Sequence, residues 1–212
     1  MDYRIEQFIN GPAGHHAVLD TLMRDAANWA VGIFIGIVAV WFVLGWIFGR
    51  AEERRGALLA LLAAGGALLT NQVLIRIWDR PRPFVAHPST VHVLVSRGID
   101  SSFPSDHAAA SVAIAVAVLL VHRRLGLLVM ALAVLVCYAR VFVGAHYPGD
   151  VLAGAGIGVV VALLLWRPLA LVPTRLNDAI TWVIRRLHLP LRDRSPARNS
   201  AGGDRPVRSP AA

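Results

Sequence analysis

Three short stretches of this 212-residue chain gather side chains able to handle an anion. The first is Arg80-Pro81-Arg82-Pro83-Phe84 and the second Ser102-Phe103-Pro104-Ser105-Asp106-His107. The third runs from Arg140 across five residues to His146, and across three more to Asp150. Guanidinium forks match the oxygens of a phosphate two at a time. Pro104-Ser105 opens a helix, so backbone N–H groups and the positive dipole end also point at an anion. Phosphoryl transfer needs charge stabilisation on the equatorial oxygens, a nucleophile in line and a proton for the leaving oxygen. His146 with Asp150 makes an imidazole that a carboxylate can orient through one nitrogen, leaving the other to attack. His107 can donate the proton as general acid. This set of residues calls for no metal and no cofactor.

The elements that must position them are apolar. Of the chain, 56% is hydrophobic, with a mean hydropathy of +0.58, where a soluble domain has about 45–50%. The excess lies in blocks at 29–48, 57–75, 108–121, 125–139 and 151–166. The first is long enough to cross a hydrocarbon layer ~30 Å thick as a helix. The last three are shorter, but they are apolar all round and abut His, Arg or Asp, so each continues through polar residues that face protein rather than lipid. Trp29, Trp46, Trp78 and Trp166 stand at block ends, as in an interfacial belt. The expected fold is therefore an all-α integral membrane bundle of about five transmembrane helices. Arg50, Arg54, Arg55, Arg123, Arg124 and the Arg-rich end of the chain mark the cytoplasmic side. The N-terminus and the loops 76–107 and 140–150 then share the outer side. Arg76, Arg80, Arg82 and Arg97 in that outer loop depart from the positive-inside rule, and anion binding accounts for them.

Net charge is +8, all 21 basic residues are Arg, and nine of these lie from Arg167 onward. A cytoplasmic anchor on anionic lipid explains that distribution better than nucleic-acid binding, which needs a basic face with interleaved aromatics. The expected segments are an N-terminal surface segment (1–28), a transmembrane catalytic domain (29–173), an amphipathic surface helix (174–191) and a disordered basic tail (192–212). The first segment lacks a signal-peptide apolar region, so no cleavage is expected. Cys137 stands alone and forms no intramolecular disulfide. His15, His16, His87, His92, His122 and His188 read as surface residues, and Ser101 and Ser102 as capping or loop residues. The stretch 91–95 alternates weakly, as a short strand or a membrane-dipping stretch would. Gly154, Gly156 and Gly158 point to close helix packing within the chain; the oligomeric state is left open.

Together these residues resemble the type 2 phosphatidic acid phosphatase superfamily, which shares its site with vanadium haloperoxidases. Its pattern is a basic residue followed by Arg-Pro, then Pro-Ser-Gly-His, then Ser-Arg, five residues, His, three residues and Asp. The resemblance covers 71–150. It implies that Arg82, Arg140 and Ser105 clamp phosphate, with Arg76 and Arg80 near the diphosphate. It further implies that His107 is the acid, His146 the nucleophile that forms a phosphohistidine, and Asp150 its partner. Arg76 stands for the usual Lys with one residue too few before Arg82, Asp106 for the usual Gly, and Ala139 for the usual Ser. Asn71-Gln72, Phe84 and the run Ser102 to Ala108 are similar to the bacitracin-resistance branch, whose members act on undecaprenyl diphosphate. The implied activity is hydrolysis of that isoprenoid lipid diphosphate in a bacterial inner (plasma) membrane, with the site on the periplasmic or extracellular face. Phosphatidate, phosphatidylglycerol phosphate and a lipid A phosphate are the alternative substrates. A transporter or resistance factor with a His/Asp relay is the alternative class. Asp106 is open between an Arg76 or Arg80 partner and a divalent ion, and Arg80 and Arg97 between phosphate ligands and loop salt bridges.

Overall fold

A computed structural model describes residues 1–95 and 100–166, with isolated helical positions at Ala179, Trp182, Val183 and Arg186. The described residues form α1 (Asp2–Asn10), α2 (Ala17–Ile47), α3 (Ala51–Ile77), the single turn α4 (Pro83–Ala86), α5 (Asp106–Val121), α6 (Arg123–Phe142) and α7 (Pro148–Trp166). No strand occurs among them, and 91–95 is an extended loop in which the Leu94 N–H donates to the Val143 carbonyl. Four helices, α2, α3, α6 and α7, are long and apolar enough to cross a membrane, and α5 is a shorter apolar helix. The chain is thus an all-helical, multi-pass membrane protein. The surface helix expected over 174–191 and the tail over 192–212 lie outside the described residues, apart from those isolated positions.

Helix lengths explain the layout. The 31 residues of α2 rise about 46 Å, more than the ~30 Å of hydrocarbon. The helix begins at Ala17, well before the apolar block at 29–48, and carries Asp20, Arg24 and Asp25 beyond the apolar layer. By contrast α5, with 16 residues, reaches only about 24 Å. It needs no lipid-facing length, because it runs through the centre of the bundle, packed against α3, α6 and α7 and touching α2. Every residue from Ala108 to Val118 except Ala110 is buried.

Small side chains let the helices approach. Ala57, Ala60, Ala63, Ala64 and Ala67 form a buried stripe along α3 at helical spacing. On α7 the seam is Gly154, Gly158 and Ala162. A methyl group at Gly154 would run into the Ser105 carbonyl, and one at Gly158 would lie 2.5 Å from the Ala109 carbonyl oxygen. Gly156, between them, would meet nothing within 4 Å, so of the three glycines only two serve the packing. This seam sets the start of α7 beside the start of α5.

At one end of the bundle sit α1, the segments 78–95 and 100–105, and the α6–α7 turn. At the other are the α2–α3 and α5–α6 turns with Arg50, Arg54, Arg55, Arg123 and Arg124, where Arg50 pairs with Glu53 and Arg55 with Glu52. The helix α1 faces the protein with a polar stripe, not an apolar one. Asp2, Glu6 and Asn10 point inward, while Ile5 and Phe8 are exposed. Asn10 donates to the Phe142 and His92 carbonyls and accepts from the His92 N–H, tying α1 to two loops at once. Glu6 is fully buried, and burial pushes its carboxyl up to about 7.

The seam makes a paired expectation. Gly158→Val should destabilise the protein by about 1–3 kcal/mol through overpacking, while Gly156→Val should leave the melting temperature in detergent unchanged.

Candidate active site

The three anion-handling stretches meet at the α1 end of the bundle. Pro83 starts α4, so Arg82 sits in extended backbone just before a rigid turn. Its side chain is 5% exposed and reaches across to the α6–α7 turn, donating from Nη1 to the Ala145 carbonyl at 2.9 Å. The same Nη1 is 3.2 Å from Nε2 of His146. Asp100 holds the rest of the fork, accepting from Nε at 3.2 Å and from Nη2 at 3.0 Å.

The tautomer of His146 follows from its neighbours. Nδ1 lies 2.8 Å from the Ser102 carbonyl oxygen, which can only accept. Nδ1 therefore carries the proton, and Nε2 keeps its lone pair beside the Arg82 guanidinium. Burial, then the positive charges of Arg140 and Arg82, hold the imidazole well below its usual 6.5. A neutral ring with its lone pair on Nε2 is the form a nucleophile needs, and here that lone pair accepts from Arg82 Nη1.

Asp150 lies elsewhere than a direct imidazole partner would. Its nearer oxygen is 4.0 Å from Nδ1 of His146, beyond hydrogen-bond reach. The carboxylate is fully buried and already occupied: Oδ2 accepts from the Ser102 hydroxyl at 2.5 Å and the Tyr147 N–H at 2.9 Å, and Oδ1 from Arg80 Nη1 at 2.7 Å. Ser102 thus binds His146 through its carbonyl and Asp150 through its hydroxyl. Reading Ser102 as a capping or loop residue missed this. Only its place three residues before Ser105 hinted at it, because a backbone carbonyl leaves no mark in residue type.

The remaining residues differ in how they relate to His146. Arg140, in the last turn of α6, is 1% exposed and close enough to His146 to act on its charge, as is His107 in the first turn of α5. Ser105 is the N-cap of α5, and its buried hydroxyl makes no hydrogen bond. A buried hydroxyl without a partner costs about 1–3 kcal/mol, so this oxygen is well placed to meet an anion at the helix start. Asp106 accepts from the Asn71 side chain at 2.8 Å, which gives it an amide partner from α3. Arg80 pairs with two carboxylates, Asp150 and Asp2. Arg76 is exposed on the last turn of α3, and among the described residues it forms no ion pair. Arg97 lies outside the described residues.

From this end an apolar groove runs down between α2, α3 and α5, enclosing about 600 Å³ with its open mouth. Phe34, Leu61, Leu68 and Ile114 line its walls, and His107 is the ionisable group on them. The other polar side chain there, Ser111, donates its hydroxyl to the His107 carbonyl of its own helix at 2.6 Å.

Residues 56–170 match the PAP2 superfamily. The chain belongs to that superfamily. It is 34% identical over 167 residues to the undecaprenyl-diphosphatase BcrC of Bacillus subtilis, covering 79% of this chain and 83% of that protein. It is 29% identical over 160 residues to a Bacillus licheniformis protein named bacitracin transport permease protein BcrC, covering 76% of each. The crystal structure of Aquifex aeolicus LpxE aligns with a TM-score of 0.62 at 23% identity, covering 77% of this chain and 93% of that one. That likeness is one of fold: the PAP2 bundle.

The electrostatics of His146 can be read directly. In histidine NMR of the labelled protein, the signal lost in His146→Gln should titrate well below pH 6.5, and Arg140→Gln should move that titration upward. The neutral form is kept as pH falls until the depressed value is reached. A His146 titration at or above 6.5 would contradict the environment described.

Proposed function

We propose that this PAP2 protein hydrolyses undecaprenyl diphosphate to undecaprenyl phosphate and inorganic phosphate through a phosphohistidine intermediate. The observation that carries the reading is the groove: an apolar channel between α2, α3 and α5 that ends at His107, beside the His146 site. Such a wall suits a long hydrocarbon chain, and a buried imidazole among arginines suits its phosphate end. The undecaprenyl-diphosphatase name of the Bacillus subtilis relative supports the choice of lipid.

In this mechanism Arg82, Arg140, the Ser105 hydroxyl and the first N–H groups of α5 hold the terminal phosphate. Arg82 Nη1 turns from Nε2 of His146 to a phosphate oxygen, the released lone pair attacks the phosphorus, and the bond to the bridging oxygen breaks. His107 gives its proton to that oxygen, and undecaprenyl phosphate leaves. Water, deprotonated by the now neutral His107, then attacks the phosphohistidine and frees inorganic phosphate and His146. Asp150 offsets the positive charge that builds on the imidazole, through space and through Ser102. Arg76, exposed on the last turn of α3, is assigned to the phosphate that stays on the lipid. The arginines supply the countercharge, so the roles require no metal ion.

The Arg-rich turns at the opposite end support placing the site on the periplasmic or extracellular face of the plasma membrane. Phosphatidate and other lipid phosphates are the competing substrates, since the same groove admits an acyl chain. A relay transporter is the competing class, but the ionisable residues gather at one end and do not thread the spans.

Phosphate release from undecaprenyl diphosphate by the purified protein in detergent tests the reading, with dioleoyl phosphatidate as second substrate. Wild type should prefer the isoprenoid at least tenfold, and His146→Ala should lose about 10³-fold or more of turnover. Activity should survive EDTA. Preference for phosphatidate would change the substrate, and an unaltered His146→Ala would remove the mechanism.

A further inference from the structure

The helix α1 lies outside the residues matched to the superfamily, yet its first turn is linked through Arg80 to Asp150. Asp2 Oδ2 accepts from Arg80 Nη2 at 2.7 Å, while Arg80 Nη1 donates to Asp150 Oδ1, also at 2.7 Å. The other oxygen of Asp2 accepts from the Gly149 N–H at 2.9 Å, one residue before Asp150. The fit is close: a methyl group on Gly149 would come within 2.8 Å of Asp2 Oδ2. The guanidinium between the two acids lies 4.0 Å over the Tyr147 ring, and the backbone N–H of Tyr147 binds Asp150. Arg80 therefore has its two ends fixed by two carboxylates and its face by an aromatic ring.

We propose that Asp2 is a positioning residue for the phosphatase reaction, acting through Arg80 and Gly149 to hold Asp150 behind His146. This rests on the proposed roles of His146 and Asp150 and adds Asp2, in the first turn of α1, to the machinery. Arg80 is a long side chain with a planar fork, and a fork with one free end turns to take both oxygens of its remaining carboxylate. Without Asp2, Arg80 would draw Asp150 Oδ2 from the Ser102 hydroxyl, and Ser102 is what holds Nδ1 of His146. There is a charge effect as well. Asp2, Arg80 and Asp150 together carry one net negative charge behind the imidazole, while Arg82, Arg140 and His107 face it from the segment 78–95, α6 and α5. Removing the Asp2 charge leaves the imidazolium less stabilised.

The full-length protein in detergent tests this with Asp2→Asn, Asp2→Glu and Asn10→Ala, the last loosening α1 at its far end. Phosphate release is followed from both undecaprenyl diphosphate and dioleoyl phosphatidate, alongside thermal melting. Asp2→Asn is expected to lower kcat roughly tenfold, the effect of a misplacement well short of an ångström. KM should change little, the acid limb of kcat/KM should shift to lower pH, and Asp2→Glu should recover most of kcat. Asn10→Ala should lower the melting temperature and leave kcat and the pH profile alone. The kcat factor should be the same on either lipid, so a wrong substrate assignment would show as a changed preference in wild type and leave the Asp2 effect intact. The proposal is overturned if Asp2→Asn only lowers the melting temperature, as Asn10→Ala does, with kcat and the pH profile unchanged.

Discussion

A carboxylate stripped of water must be met by donors, or the cost runs to several kcal/mol. Asp150 is such a group, with no exposure at all. Its three donors come from three separate parts of the chain: Arg80 after α3, Ser102 before α5, and the Tyr147 N–H in the α6–α7 turn. Satisfying one buried charge therefore draws three connections to one point. His146 and Arg82 come with them, because His146 sits in the same turn and Arg82 in the same Arg-Pro stretch. The second half of the Arg80 fork then reaches Asp2 and brings α1 to the same place.

The apolar part of the bundle decides where that point lies. The seam of Gly154 and Gly158 brings α7 against the backbone of α5, close enough that the Ser105 N–H donates to the Asp150 carbonyl. Hence the N-terminus of α5 and the start of α7 open side by side. On its α2 flank α5 is only touched, and the groove is left there between α2, α3 and α5. His107, on the first turn of α5, belongs to both regions: it lines the groove and acts on the charge of His146. An amphiphile with an apolar chain and an anionic head meets a matching division in one helix.

The cationic groups around His146 have a further consequence. Burial, and then Arg140 and Arg82, keep the imidazole neutral, which leaves Nε2 unprotonated. In the proposed reaction an incoming phosphate would add negative charge beside the ring, which favours the imidazolium. Preorganised positive charge of this kind stabilises the equatorial oxygens without rearrangement at the moment of reaction.

Much of this was legible in the residues alone. The apolar blocks specify an all-helical membrane bundle because water is absent from the bilayer and backbone groups must pair within each helix. The arginine distribution separated the two ends, and the spacing of Arg140, His146 and Asp150 set the three on and beside the α6–α7 turn. Residue type and local spacing carry that information because they express what a side chain can do. They do not express which partner it takes. Asp150 pairs with Ser102, Tyr147 and Arg80 and stands 4.0 Å from His146, because segments distant in sequence reached it. The ring proton goes to a carbonyl of Ser102, a group that every residue possesses. The inward stripe of Asp2, Glu6 and Asn10 has helical spacing, yet nothing in it says that the polar side faces protein until the loops it binds are in place. Only the tertiary structure decided these partners, since a hydrogen bond is made by the convergence of two segments and neither segment contains the other.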